Sequence, residues 1–131
     1  MNEDQWNYLC KDTVDAMIEH VKPFLSPISY TMDEGYGILH GTGSYITFDD
    51  KEYLITNEHV GSLDKKTTLQ NQFFNDDNIY LLKNKFKNKP YPIDVAISHI
   101  DKKLWSTHTE YAQAIPSNRF ALKHNPYKNE L

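Results

Sequence analysis

Six histidines are spread along the chain (His20, His40, His59, His99, His108 and His124). None falls into HxxxH or HExxH spacing, so a helix-borne zinc site has no support in the sequence, and neither a metal nor a cofactor is expected. His59 has a distinct setting. It follows the apolar run Tyr53-Leu54-Ile55-Thr56 inside Tyr-Leu-Ile-Thr-Asn-Glu-His-Val. A strand there delivers the imidazole at a sheet end, rigidly supported and open to a cleft, as a general base requires. An isolated histidine is equally an ordinary surface or structural residue. Asp94, 35 positions on, opens Asp94-Val95-Ala96-Ile97. A carboxylate at the mouth of an apolar strand needs a partner, because burying it unpaired costs several kcal/mol. An imidazole N–H suits, since the carboxylate then fixes the tautomer and stabilises the imidazolium. The plain alternative is Asp94 as an exposed strand-start residue. No serine completes a nucleophilic set: Ser98, Ser106 and Ser117 lack an adjacent glycine, while Ser44 lies in a strand and Ser62 follows His59 by three residues.

The elements that must position these residues follow from periodicity. Trp6, Leu9, Cys10, Val14, Met17, Ile18, Val21 and Leu25 recur at intervals of three and four. That spacing predicts an amphipathic helix over 3–21, capped by Asn2 with Gln5, stopped at Pro23 and packed on the rest of the domain. A partner-binding helix is the alternative reading. Residues 26–34 read as a connector. From Tyr36 the period becomes two, predicting strands over 36–40, 44–48, 52–56, 67–69, 79–82 and 93–100, with a hairpin turn across 48–52. Six short strands after one helix suggest an antiparallel barrel or sandwich. Residues 71–78 read as a polar loop. Lys83 to Lys89, with four lysines, reads as a solvated loop or, alternatively, a site for an anionic partner. Beyond Asp101 the pattern predicts no element.

Composition narrows the class. The 131 residues carry 14 Lys and Arg against 18 Asp and Glu, a net charge of −4, which excludes a general nucleic-acid binder. Aromatic residues make up 13% of the chain, enough to close a core. Cys10 is the single cysteine, so no intrachain disulfide forms and a reducing, cytoplasmic setting is expected. The sequence contains no apolar run long enough for a membrane span and no secretory leader pattern. All five glycines lie between Gly35 and Gly61, so a Gly-rich catalytic turn has no place after that window.

In order, Gly41-Thr42-Gly43-Ser44-Tyr45-Ile46, the hairpin, Thr56-Asn57-Glu58-His59 and Asp94-Val95-Ala96-Ile97 resemble the first half of a trypsin-like serine protease. The match covers roughly residues 36–100. The resemblance implies a mainly β fold, an antiparallel six-stranded barrel preceded by the amphipathic helix. Residues 1–29 would be helix and connector, and 30–131 the first barrel with a trailing inter-barrel linker. It assigns His59 as general base and Asp94 as the acid that orients it. Val60 stands where extracellular members carry cysteine, which fits the disulfide-free bacterial intracellular branch. The family's nucleophile lies in a Gly-Asp-Ser-Gly-Gly segment of a second barrel, whose amides form the oxyanion hole; this chain has no such segment. The segment 119–131 resembles the inter-barrel linker, so the sequence reads as a truncated half. The expectation is therefore a half-peptidase, inactive alone, that acts on a protein or peptide substrate when a second barrel completes it. The alternative is a protease-derived binding or regulatory module with a protein partner on its exposed barrel face. No nucleic acid or membrane is expected as partner.

Overall fold

The computed structural model describes residues 1–120. Helix α1 (Glu3–Val21) opens with the expected capping box: the Gln5 N–H donates to the Asn2 side chain at 2.9 Å, and the Asn2 N–H donates to the Gln5 side chain at 3.1 Å. Pro23 lies in the 3₁₀ turn Lys22–Phe24 that ends it. The packing expected of this helix is absent. No residue of α1 is buried, and Trp6, Leu9, Val14, Met17, Ile18 and Val21 are all exposed. Periodicity shows which face is apolar, not what covers it, and here the core closes without the helix.

The rest is mainly antiparallel β-sheet. Strands β1 (Leu25–Thr31), β2 (Gly37–Phe48), β3 (Lys51–Thr56), β4 (Gln70–Asn71), β5 (Tyr80–Leu81), β6 (Lys87–Lys89), β7 (Val95–His99) and β8 (Ile115–Pro116) are joined with two short helices, α2 (Glu58–Gly61) and α3 (Lys102–Ser106). Their order is β5-β4-β1-β2-β3-β7-β6, with β8 parallel to β2 at Ile46 and Thr47. Among the described residues no pairing joins β5 to β6, so the sheet is not closed by hydrogen bonds.

Several expected elements change. The connector expected over 26–34 is largely β1, a central strand paired with β2 along its length and with β4 at Ile28 and Ser29. Pro27 disguises it, and lies outside the two-residue pairing with β4 where an N–H is needed. The two strands expected over 36–40 and 44–48 are one continuous β2, because Gly41 and Gly43 continue the ladder instead of breaking it. The strand expected over 67–69 is displaced to β4. Residues 83–89 are not simply a solvated loop: Phe86 is buried and β6 follows it. Asp64 holds that segment, accepting from the Phe86 N–H at 2.6 Å through its carboxylate and from Lys85 Nζ through its carbonyl. Beyond Asp101, where no element was expected, α3 is capped by the Asp101 carboxylate on the amides of Lys103 and Leu104. The expected linker lies outside the described residues after Phe120. The β2–β3 hairpin stands as expected. Its turn residues Asp49 and Asp50 have φ of 52° and 58°, the conformation of a two-residue type I′ turn.

The core sits where the sheet folds over α3. Tyr45 from β2 stacks on Phe73 with centroids 5.3 Å apart and lies 5.2 Å from Trp105 of α3. Ile28, Leu54, Leu69, Ala96 and Ile100 fill the space around them. Burial pushes the Tyr45 phenol up to about 12, against the opposing hydrogen bonds with Ser26 and Asn71.

Candidate functional site

The end of β3 is pinned by Thr56 Oγ1, which donates to the Thr42 carbonyl of β2 at 2.8 Å. Asn57 then starts α2, and its carbonyl accepts from the N–H groups of Val60 and Gly61 at 3.2 and 3.0 Å. Two glycines let this one-turn helix sit against the sheet. A Cβ on Gly41 would come within 2.8 Å of both Val60 methyls, and one on Gly61 would collide with the Ala96 Cβ while lying 3.1 Å from the Phe86 ring. With Val60 wedged over β2 and Gly61 over β7, His59 must point away from the sheet, and its side chain is 71% exposed.

The hydrogen-bonded pairing of β7 with β3 brings Asp94 to the same end. His59 Nδ1 lies 3.4 Å from Asp94 Oδ1, at the long end of hydrogen-bond range. Asp94 accepts two further bonds, from the Glu58 N–H to Oδ1 at 2.9 Å and from Asn57 Nδ2 to Oδ2 at 3.2 Å. Asn57 is a residue that sequence reasoning missed. Its place two residues before His59 was the available signal, since the same turn presents both side chains to one carboxylate. Partial desolvation raises the Asp94 pKa, but the bonds from His59, the Glu58 N–H and Asn57, with the His59 charge, outweigh it and hold the carboxyl below its usual value.

The structure contains a second His–Asp pair that the sequence did not reveal. His108 Nε2 lies 2.7 Å from Asp76 Oδ2 and 3.1 Å from Tyr80 Oη, while Tyr80 Oη donates to Asp76 at 2.6 Å. The His108 ring stacks on Phe73 at 4.0 Å. Its Nδ1 faces the Leu104 carbonyl at 2.8 Å, which can only accept, so both ring nitrogens are committed to holding the 73–80 segment on α3. His59 differs: among the described residues Nε2 has no hydrogen-bond partner. A base needs that free nitrogen, so the looser, exposed pair is the better chemical candidate. Nothing in the irregular segments around Asp76 and His108 signalled their meeting across 32 positions.

Hydrogen bonds from Tyr80, the Asn78 N–H and His108 hold the Asp76 carboxyl far below its usual value. A carboxyl depressed by folding contributes stability above the unfolded value and loses it as pH falls through the folded one. The melting temperature should therefore be level near neutrality and fall below about pH 4. Asp76→Asn should flatten that fall. An unchanged acid limb in a thermal melt series would show that the Asp76 bonds do not carry it.

Among the described residues no serine or threonine hydroxyl bonds to His59. Ser98 is buried and donates to the Asn84 carbonyl at 2.8 Å, and Ser106 donates to that of Lys103. Among the described residues no group of three or more His, Cys, Asp or Glu side chains is placed to hold a metal ion, and no described helix is long and apolar enough to cross a membrane. A cavity of about 300 Å³ between β5 and α3 is lined by Ile79, Leu82, Ile100 and Leu104 among others, and by neither His59 nor Asp94. No protein-family model matches the chain, and no curated protein matches it at significance.

Proposed function

We propose that this chain is the His- and Asp-bearing half of a trypsin-like serine peptidase, with strands of its eight-stranded sheet forming the wall of the first barrel. The observation that carries the reading is the oriented pair: Nδ1 of His59 faces Asp94 while Nε2 is open. In that role Nε2 takes the proton of a serine hydroxyl supplied by a second barrel and returns it to the leaving amine, while Asp94 holds the tautomer. Asn57 and the Glu58 N–H position Asp94. Without a Gly-Asp-Ser-Gly-Gly segment the oxyanion donors are missing, and a lone base offers only about 10² to 10⁴.

Two measurements test this. Nitrogen NMR of the imidazoles should place the His59 proton on Nδ1, and Asp94→Asn should remove that preference; an unaffected tautomer overturns the pair. The purified chain should hydrolyse neither casein nor activated esters. Turnover abolished by His59→Ala would show instead that it is competent alone.

The second reading, a protease-derived binding module, draws on the exposed apolar residues beside Asp94. Tyr91 is 90% exposed and Ile93 63%, which suits a protein partner better than bulk water. Under that reading Tyr91→Ser weakens partner binding, while His59→Ala leaves it unchanged.

A further inference from the structure

We propose that the cavity between β5 and α3 is a binding site for a small neutral molecule with an apolar body and one hydrogen-bond donor, an N–H or O–H, at its inner end. Its origin lies in how the sheet stops. No ladder joins β5 to β6 among the described residues. The chain between them is tied to β7 by side chains instead, Ser98 Oγ donating to the Asn84 carbonyl and Asn84 Nδ2 to the His99 carbonyl, each at 2.8 Å. Beside these ties the gap holds about 300 Å³, at the lower end of the roughly 300–1,000 Å³ of small-molecule sites.

The lining gives the chemistry. Ile79, Leu82, Ile100 and Leu104 make the walls apolar, so water held there lacks partners on most sides. Asn71 lines the cavity too and is 0% exposed. Its Nδ2 donates to Tyr45 Oη at 2.8 Å, while its Oδ1 has no hydrogen-bond partner among the described residues. A buried carbonyl oxygen without a donor costs free energy, which a ligand N–H or O–H recovers. At the mouth Lys83 and Asp101, both exposed, place one charge of each sign. No net charge there selects an ion, and the apolar walls penalise one. His59 and Asp94 take no part, so the site stands whether or not the peptidase reading does.

Indole and benzofuran test this. The two have the same shape, but only indole carries an N–H. In a titration of the full chain followed by NMR, indole should shift the Leu82, Ile100 and Leu104 methyls and the Asn71 side-chain amide. It should bind about tenfold tighter than benzofuran, the factor that one net hydrogen bond supplies. Leu104→Trp fills the cavity from α3 and should abolish the shifts while the rest of the spectrum stays folded. If that variant unfolds, the ratio of the two affinities in the wild type still decides. Equal affinities for the two probes, or a folded Leu104→Trp variant that still binds indole, overturns the proposal. No shift with either probe also overturns it and leaves the cavity to water alone.

Discussion

Phe73→Ala should lower the unfolding free energy by about 3–5 kcal/mol, the cost of truncating a large aromatic in a packed core. Phe73 is 2% exposed and is the point where three elements meet. Its ring stacks on Tyr45 of β2 at an interplanar angle of 11° and on His108 at 16°, with Trp105 of α3 edge-on at 6.0 Å. No neighbour can swing into the vacated space without breaking a second contact, since Tyr45 is tethered to Asn71 and His108 to Asp76. A small domain has only about 5–15 kcal/mol in total, so a large part of the population should unfold at moderate urea. The check is the midpoint and slope of a urea titration. A loss under about 1.5 kcal/mol, the range of volume-conserving core swaps, would mean that the core does not close on this ring.

Gly61→Val should cost about 3 kcal/mol, at the upper end for overpacking, and should separate His59 from Asp94. The first added carbon meets Ala96 Cβ, the Phe86 ring and Asn88 Oδ1. Ala96 and Asn88 belong to the paired strands β7 and β6 and Phe86 to the core, so none of the three can readily yield. The helix must lift, and the Glu58 N–H to Asp94 bond at 2.9 Å is the first to go. The expected signature is a lowered melting temperature together with an altered His59 imidazole tautomer. Retained tautomer preference at lowered stability would show that α2 is held from the His59 side and not through Gly61.

What was legible in the sequence depended on how local the cause was. The α1 cap, the Asp49-Asp50 turn and the β3 to His59 order are each set by residues within a few positions of one another. The approach of Asp94 to His59 came from a resemblance of ordered motifs, not from periodicity. Strand β1 was hidden because Ser26 and Pro27 are turn formers, and only pairing with β2 and β4 overrides them. Strands of two residues, such as β4 and β5, carry too few positions for alternation to register. Phe86 was lost among lysines, although one apolar residue in a basic run can anchor the segment. The Asp76, Tyr80 and His108 cluster depends wholly on tertiary packing.

Asp94 has a φ of 51°, in the left-handed region that side chains enter at a cost of order 1 kcal/mol. Its carboxylate is therefore aimed by a reversal of the main chain just before β7, and only secondarily by its own two torsions. Glycine would relax the backbone and remove the acid together. At this one position the backbone strain and the hydrogen bonds that offset it, from the Glu58 N–H and Asn57, belong to the same residue, so removing one removes the other.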